Sequence, residues 1–297
     1  MTTIPWLWAV FTLIAAAAQT VRNAAQRELT TRLGTVGATH VRFLFGFPFA
    51  LLFLLGILLI WDASLPRPGA SFWPWMLAGA LLQIAATALM LAAMGERSFV
   101  VAIAYIKTEP VQVALFGLIF LGDHVTPLMA AAILIATAGV VVMSLRSHTG
   151  GGIKPTLVGL SAGACFALSA IGYRGAILSL GDPDFVMAAT FTLVVGLVVQ
   201  AGLLTLYLLV RDRAVLAAIF RAWRPSLFAG FMGALASQFW FLAFAVATAA
   251  SVRTLALVEV LFAQAISRFV FKQPTSAREG VGIVLIVAGV ALLVWAY

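Results

Sequence analysis

Ten apolar runs of roughly 18 to 25 residues follow one another along the chain, with only short polar breaks between them. They lie near residues 4–22, 36–60, 72–94, 98–120 and 126–145, then 156–177, 185–210, 225–247, 251–271 and 276–296. A helix of that length crosses about 30 Å of hydrocarbon, where each segment has to satisfy its own backbone hydrogen bonds. The expected fold is therefore an all-α membrane protein of ten transmembrane helices. Composition agrees: 63% of the 297 residues are hydrophobic and 9% charged, far from the balance of a soluble domain. The first run ends in Ala15–Ala18, which suits a signal-peptide cleavage site, but no Lys or Arg precedes it to form a basic n-region. It is expected to remain as a helix.

The formal charge of +8 raises the question of nucleic-acid binding. The cations sit singly at the ends of apolar runs rather than in a basic tract, so topology explains them better and no nucleic-acid partner is expected. Loops one, three, five, seven and nine hold Arg27, Arg32, Arg97, Arg146, Lys154, Arg211, Arg213, Arg221, Arg224, Lys272 and Arg278, whereas the even loops hold chiefly Arg67. By the positive-inside rule the odd loops are expected in the cytoplasm and both termini outside. Cys165 stands alone, which excludes an internal disulfide and any cysteine metal cluster, and no cofactor or metal is expected.

The two halves align when slid by about 150 residues. Glu109 falls on Glu259, Trp73 on Trp223, Gly139 on Gly289 and Asp123 on Gln273, and TAGVVVM parallels VAGVALL. An offset of 147 brings Arg27 and Gly34 onto Arg174 and Gly181. Five spans per unit is an odd number, so the second unit, 149–297, must enter the membrane from the side opposite to the first, 1–148. The expected architecture is a 5+5 inverted repeat around a central cavity, an arrangement in which two like units exchange conformations and expose one site alternately to each side.

The paired stretches TEPVQVALFGLIFLGD and VEVLFAQAISRFVFKQ, within ten spans, resemble the EamA branch of the drug/metabolite transporter superfamily. That resemblance covers essentially the whole chain. It implies a ten-helix bundle whose cavity is lined mainly by helices one, three, four, six, eight and nine, and export of amino acids or similar small polar metabolites. The chain departs from the pattern at Val260, where the first half has Pro110, and at Lys272–Gln273, where family members often carry Gly-Glu. Family members are also often drawn with cytoplasmic termini, against the loop charges here.

Within the fourth run, YIKTEPVQ brings a cation and an anion into the hydrocarbon. Each costs about 2.5 to 3.5 kcal/mol at mid-span before compensation. In a continuous helix Lys107 and Glu109 would point about 200° apart, so each is expected to find its partner on another helix. Glu109 shares a face with Tyr105 and Gln112, while Lys107 lies with Ile103, Ala104 and Val111. Pro110 removes a backbone donor and clashes with the carbonyl four residues back, so a hinge is expected near Ile106. Glu109 and its repeat partner Glu259 are candidates to hold an ammonium group or a proton; the alternative is a packing ion pair. Arg253, nearer a helix end, is expected to snorkel to the interface.

Gln19 and Asn23 share a face of helix one, a polar stripe that fits a cavity wall and makes both candidates to contact the substrate; the alternative is that the helix leaves the membrane near Thr20, making Arg22 and Arg27 interfacial. Arg42 lies deeper and could neutralise a buried carboxylate. Gln83 and Thr87 in run three, and Ser237, Gln238 and Trp240 in run eight, could contact a ligand or serve as glue between helices.

GLSAG at 159–163 matches the GxSxG nucleophile elbow, which needs a strand, a turn and a helix; this match lies inside a spanning helix. His40, His124 and His148 all lie near segment ends, so the glycines read as a close-packing GxxxG face. There is no GxxxxGK[ST] to bind ATP. The expected function is secondary active transport of a small molecule across a bacterial-type inner membrane, with a proton-coupled drug or cation exporter as the alternative. A membrane enzyme or a non-catalytic receptor or channel subunit is the alternative of another class.

Overall fold

The computed structural model describes residues 6–61, 64–94, 105–144, 153–181, 184–269 and 276–296. Among them the secondary structure is entirely helical. The helices are α1 (Leu7–Leu44), α2 (Phe47–Trp61), α3 (Phe72–Met94), α4 (Glu109–Leu121), α5 (Pro127–Ser144), α6 (Ile153–Ser179), α7 (Phe185–Arg211), α8 (Arg213–Arg221), α9 (Trp223–Val246), α10 (Ala249–Leu255), α11 (Val258–Phe269) and α12 (Ala277–Ala296). Arg97, Arg146, His148, Lys272, Gln273 and residues 98–104 of the fourth run lie outside the described residues.

α1 is 38 residues long, but Gly34 divides it at φ 68° and ψ 175°, angles essentially restricted to glycine. Gln26 Nε2 donates to the Ala38 carbonyl at 2.9 Å across this corner and ties its two arms together. The first pass therefore runs to Leu33, well beyond Thr20, and the second starts after Gly34 and continues into α2. With residues 105–121 and 249–269 each counted as one interrupted pass, the described residues make ten passes and include one short surface helix, α8. Six helical stretches meet the length and apolarity of a span outright, one of them the joined α1–α2.

We expect Gly34→Ala to cost about 1–3 kcal/mol in thermal unfolding, because a Cβ forces the corner out of its angles. Gly56→Ala, in α2 with open space around it, should be neutral or slightly stabilising. Equal unfolding temperatures for the two variants would remove the corner's special role.

The fourth and ninth passes are both interrupted. Between Ile106 and Glu109 the chain makes a three-residue turn, with Thr108 N–H donating to the Tyr105 carbonyl at 3.1 Å and Val111 N–H to the Thr108 carbonyl at 3.2 Å. Pro110 sits in the first turn of the new helix, where its missing donor does no harm. The opening expected near Ile106 is thus a break rather than a bend. Between α10 and α11 a like turn runs through Leu257 N–H to the Thr254 carbonyl at 3.1 Å and Glu259 N–H to the Ala256 carbonyl at 3.0 Å. Val260 stands there in place of a proline, and nothing in the local sequence accounts for the second break.

The most extensive helix pairings are α3 with α6, α1 with α9 and α5 with α12. Glycine lets the first and last close tightly, since lipid gives apolar side chains little reason to cluster and close backbone approach has to supply the attraction. A Cβ on Gly289 would lie 2.5 Å from Ala136 N, and one on Gly139 would lie 2.7 Å from the Gly282 carbonyl. At one end of the bundle the Gly34 corner meets α8, whose Ile219 is fully buried and whose first turn is capped by Asp212 at 3.1 Å from Val215 N. At the other end Arg174 reaches the Phe244 and Ala247 carbonyls and pairs with Asp123 at 3.4 Å. Trp61, Trp73, Trp223 and Trp295 are exposed near helix ends, as in an aromatic belt.

Candidate functional site

The two breaks face each other and exchange charges. Lys107 Nζ, at the break of the fourth pass, makes an ion pair with Glu259 Oε1 at the start of α11. Arg253 Nε, in α10, lies 3.0 Å from Glu109 Oε1 at the start of α4, an ion pair whose N–H is not directed at the oxygen. Each break thus contributes one cation and one carboxylate, and each pair crosses from one pass to the other. The local cause is shared: a three-residue turn brings a cation and a carboxylate onto the same short stretch, and the buried surroundings oblige each to pair. Lys107 and Glu109 do find partners on another helix, as their spacing requires, and it is the same ninth pass for both.

Around this cross the first and eighth passes add polar edges. Gln19 Nε2 donates to Glu259 Oε2 at 3.3 Å, while Gln19 Oε1 accepts from Trp240 Nε1 at 3.1 Å. The Arg253 guanidinium lies 4.7 Å from the Trp240 ring centroid and 5.5 Å from that of Phe244, so an aromatic face holds it as well as a carboxylate. Arg253 does not snorkel. Its side chain is buried, because the break at 256–257 leaves α10 inside the bundle rather than at its edge. Gln112 Nε2 donates to Thr108 Oγ1 at 3.2 Å, and Tyr105 is half-buried beside the turn.

Two further cations are enclosed. Arg22 is only 1% exposed, against the expectation of an interfacial residue, because the first pass continues to the Gly34 corner and carries Arg22 into the bundle. Arg27, one and a half turns on, is exposed as expected. Arg22 donates to Asn23 Oδ1 at 2.7 Å, so Asn23 serves that guanidinium. Arg42 is 3% exposed and donates to Thr87 Oγ1 at 3.1 Å; the partner given to it is a hydroxyl, not a carboxylate.

The remaining polar groups form separate clusters. Gln83 Oε1 accepts from Tyr173 at 3.0 Å and from Gln200 Nε2 at 2.9 Å, and Gln238 Nε2 donates to Thr190 at 2.7 Å. Ser237 is buried in α9. These amides and hydroxyls join α3, α6, α7 and α9 as glue between helices. Tyr173, Gln200 and Thr190 went unremarked in the sequence, although a lone glutamine in the middle of the apolar run 185–210 is itself a sign of a required partner. Ser161 of the GLSAG stretch is exposed on the outside of α6, and Gly163 packs against the fourth pass, where a Cβ would lie 3.3 Å from the Ile106 carbonyl.

Residues 6–145 match the EamA-like transporter family. The match covers the first of the two halves seen in the sequence. That match supports a multi-pass membrane transporter of the drug/metabolite type, with a small molecule as substrate and the bilayer as solvent. A solved crystal structure superposes on the chain with a TM-score of 0.67 and 17% identity, covering 97% of this chain and 99% of its own. At that identity the likeness speaks for the fold, and it extends through the second half, beyond the residues matched to the family. No curated protein matches the sequence.

Proposed function

We propose that this chain is a secondary active transporter, built of two five-helix units at 1–148 and 149–297 in inverted orientation, that moves amino acids or related small polar metabolites by alternating access. The observation that carries the reading is the crossed ion pairing of Lys107 with Glu259 and Arg253 with Glu109 at two facing helix breaks. A break in a spanning helix frees backbone groups and gives a place where charged side chains are tolerated, which is how discontinuous helices make midplane sites. Three coincidences support the repeat. The interrupted passes are the fourth and the ninth; Gly34 and Gly181, 147 residues apart, both have positive φ; and α1 with α9 and α3 with α6 are images of one another under the sequence offset.

Because each carboxylate already has an internal cation, Glu109 and Glu259 act here as exchangeable partners rather than as standing acceptors for an ammonium group. Rocking one unit against the other would lengthen one crossed pair while the other holds, and a substrate entering between them would compete for the released charge. Pro110 supplies the pre-formed hinge. No ATP-driven or enzymatic step is part of this reading. Export is the direction that the family resemblance implies, and loop charge favours placing the Arg-rich odd-numbered loops on the cytoplasmic side of the inner membrane.

The test is flux. Purified full-length protein in liposomes is expected to release labelled amino acids faster than empty vesicles, and Glu109→Gln is expected to slow that release at least about tenfold. Wild-type vesicles that match empty ones for every compound in a panel of amino acids, small organic acids and drug-like cations would remove the transporter reading at this site.

A further inference from the structure

Arg22 and Arg42 are buried, with Arg253 nearly so and Lys107 half-buried beside them, whereas among the described residues two carboxylates, Glu109 and Glu259, accompany these four cations, and both are taken by Lys107 and Arg253. The charges of Arg22, Arg42 and Arg253 lie within Coulombic reach of one another. Among the described residues, Arg22 keeps Nε and one terminal nitrogen without a hydrogen-bond partner, and Arg42 keeps Nε; all three atoms are out of contact with solvent. The stems of the two arginines both pass close to Gly233 in α9, where a Cβ would stand 3.2 Å from Arg42 Cγ and 3.4 Å from Arg22 Cδ. A side chain there would touch both.

Burying a guanidinium without an anion is among the most costly things a membrane protein can do, and doing so twice in one place requires compensation. The arrangement has the properties of an anion receptor: planar donors matched to the paired oxygens of a carboxylate or phosphate, positive charge in excess, and surroundings that strengthen any charge–charge contact. We infer that Arg22 and Arg42 form the docking point for an anionic oxygen group of the transported molecule. The substrate is thus a carboxylate- or phosphate-bearing metabolite recognised by its negative end. This rests on the transporter reading above and reverses the polarity suggested by the glutamates alone. For an amino acid, the arginines take the carboxylate.

Thermal unfolding of the full chain in detergent, read against concentrations of leucine, leucinamide, succinate, glycerol 3-phosphate and putrescine, tests it. Leucine and leucinamide share the ammonium group and the side chain and differ in the carboxylate. The expected result is stabilisation by at least one of leucine, succinate and glycerol 3-phosphate, none by leucinamide or putrescine, and anion affinity weakened about tenfold or more in Arg22→Gln and Arg42→Gln. The relative effects of succinate and glycerol 3-phosphate separate carboxylate from phosphate recognition. Should a glutamine variant fail to give a folded peak on size exclusion, the lysine variants Arg22→Lys and Arg42→Lys, which keep the charge and lose the fork, are expected to bind with intermediate affinity.

Stabilisation by leucinamide or putrescine equal to that by the anions, no anion effect beyond that of sodium chloride, or undiminished anion affinity in all the folded variants would overturn the assignment. Anion binding without flux in liposomes would leave the site standing and remove the transporter reading. Equal flux of leucine and leucinamide would do the opposite.

Discussion

Replacing Glu259 with glutamine is expected to destabilise the folded protein by about 3 kcal/mol and to abolish flux in liposomes. Removing one member of a buried ion pair leaves the other charge uncompensated, at a cost of about 3–5 kcal/mol. The lower end applies because the Lys107 side chain is 23% exposed and Glu109 remains within Coulombic reach of its ammonium group. Glutamine keeps the shape and can still bond Gln19, so the loss isolates the charge. Lys107→Met alone should cost less, since Glu259 retains the Gln19 amide at 3.3 Å. The double variant Lys107→Met/Glu259→Gln should recover much of the stability and none of the flux, because two apolar or neutral groups are easily buried while the exchange of charge has gone. The thermal unfolding of the two single variants and the double gives the coupling directly. Additivity within about 0.5 kcal/mol would show that the contact contributes nothing as a pair.

The same measurement on Arg253 and Glu109 should yield a weaker coupling. Arg253 keeps the Trp240 and Phe244 faces when the carboxylate is removed, so part of its interaction survives. A ranking with the Lys107 pair above the Arg253 pair follows from the surroundings of each cation, not from the carboxylates, which occupy matching positions.

The ten passes were legible because a membrane helix declares itself twice, by length and by continuous apolarity, and both signals are local. The glutamates and Lys107 were legible for a related reason: a charge at mid-span demands a partner. Which partner was not legible. Spacing within the fourth pass excluded a Lys107–Glu109 pair on one helical face, but the match to Glu259 and Arg253 depends on how the fourth and ninth passes pack.

Arg22 and Arg253 lie inside the bundle for related reasons. An apolar run reports where side chains prefer lipid, whereas a helix continues as far as its backbone allows, here to the Gly34 corner in one case and across a break in the other. Polar residues beyond the end of an apolar run lie inside the protein rather than at the interface when a neighbouring pass covers them. Gln200 and Tyr173 illustrate the converse: both lie in apolar runs, and their hydrogen bonds to Gln83 come from α3 packing against α6 and α7.

That packing carries the second large effect. Gly172→Ala is expected to destabilise the protein by about 3 kcal/mol or more, although it adds one methyl group to a helix and improves helix propensity. A Cβ at Gly172 would stand 2.6 Å from Gly79 N, 2.8 Å from Gly79 Cα and 2.9 Å from the Trp75 carbonyl. All three are backbone atoms of α3, so no rotamer change can relieve the contact and the helices must move apart. Overpacking of this kind alone costs about 1–3 kcal/mol. Separation would also stretch the bond from Ser169 Oγ to the Gly79 carbonyl, now 2.8 Å, and that from the Tyr173 hydroxyl to Gln83, now 3.0 Å. Each is worth about 1 kcal/mol when buried. Gly202→Ala in α7, with nothing within 4 Å of its Cβ, is the control and should be neutral or slightly stabilising. If the two variants unfold at the same temperature, α3 and α6 are not held by backbone contact. If only Gly172→Ala falls, the third and sixth passes form a tight joint. Since α3 and α6 come from the two halves proposed to rock against one another, such a joint would be the pivot of that motion rather than a surface that opens.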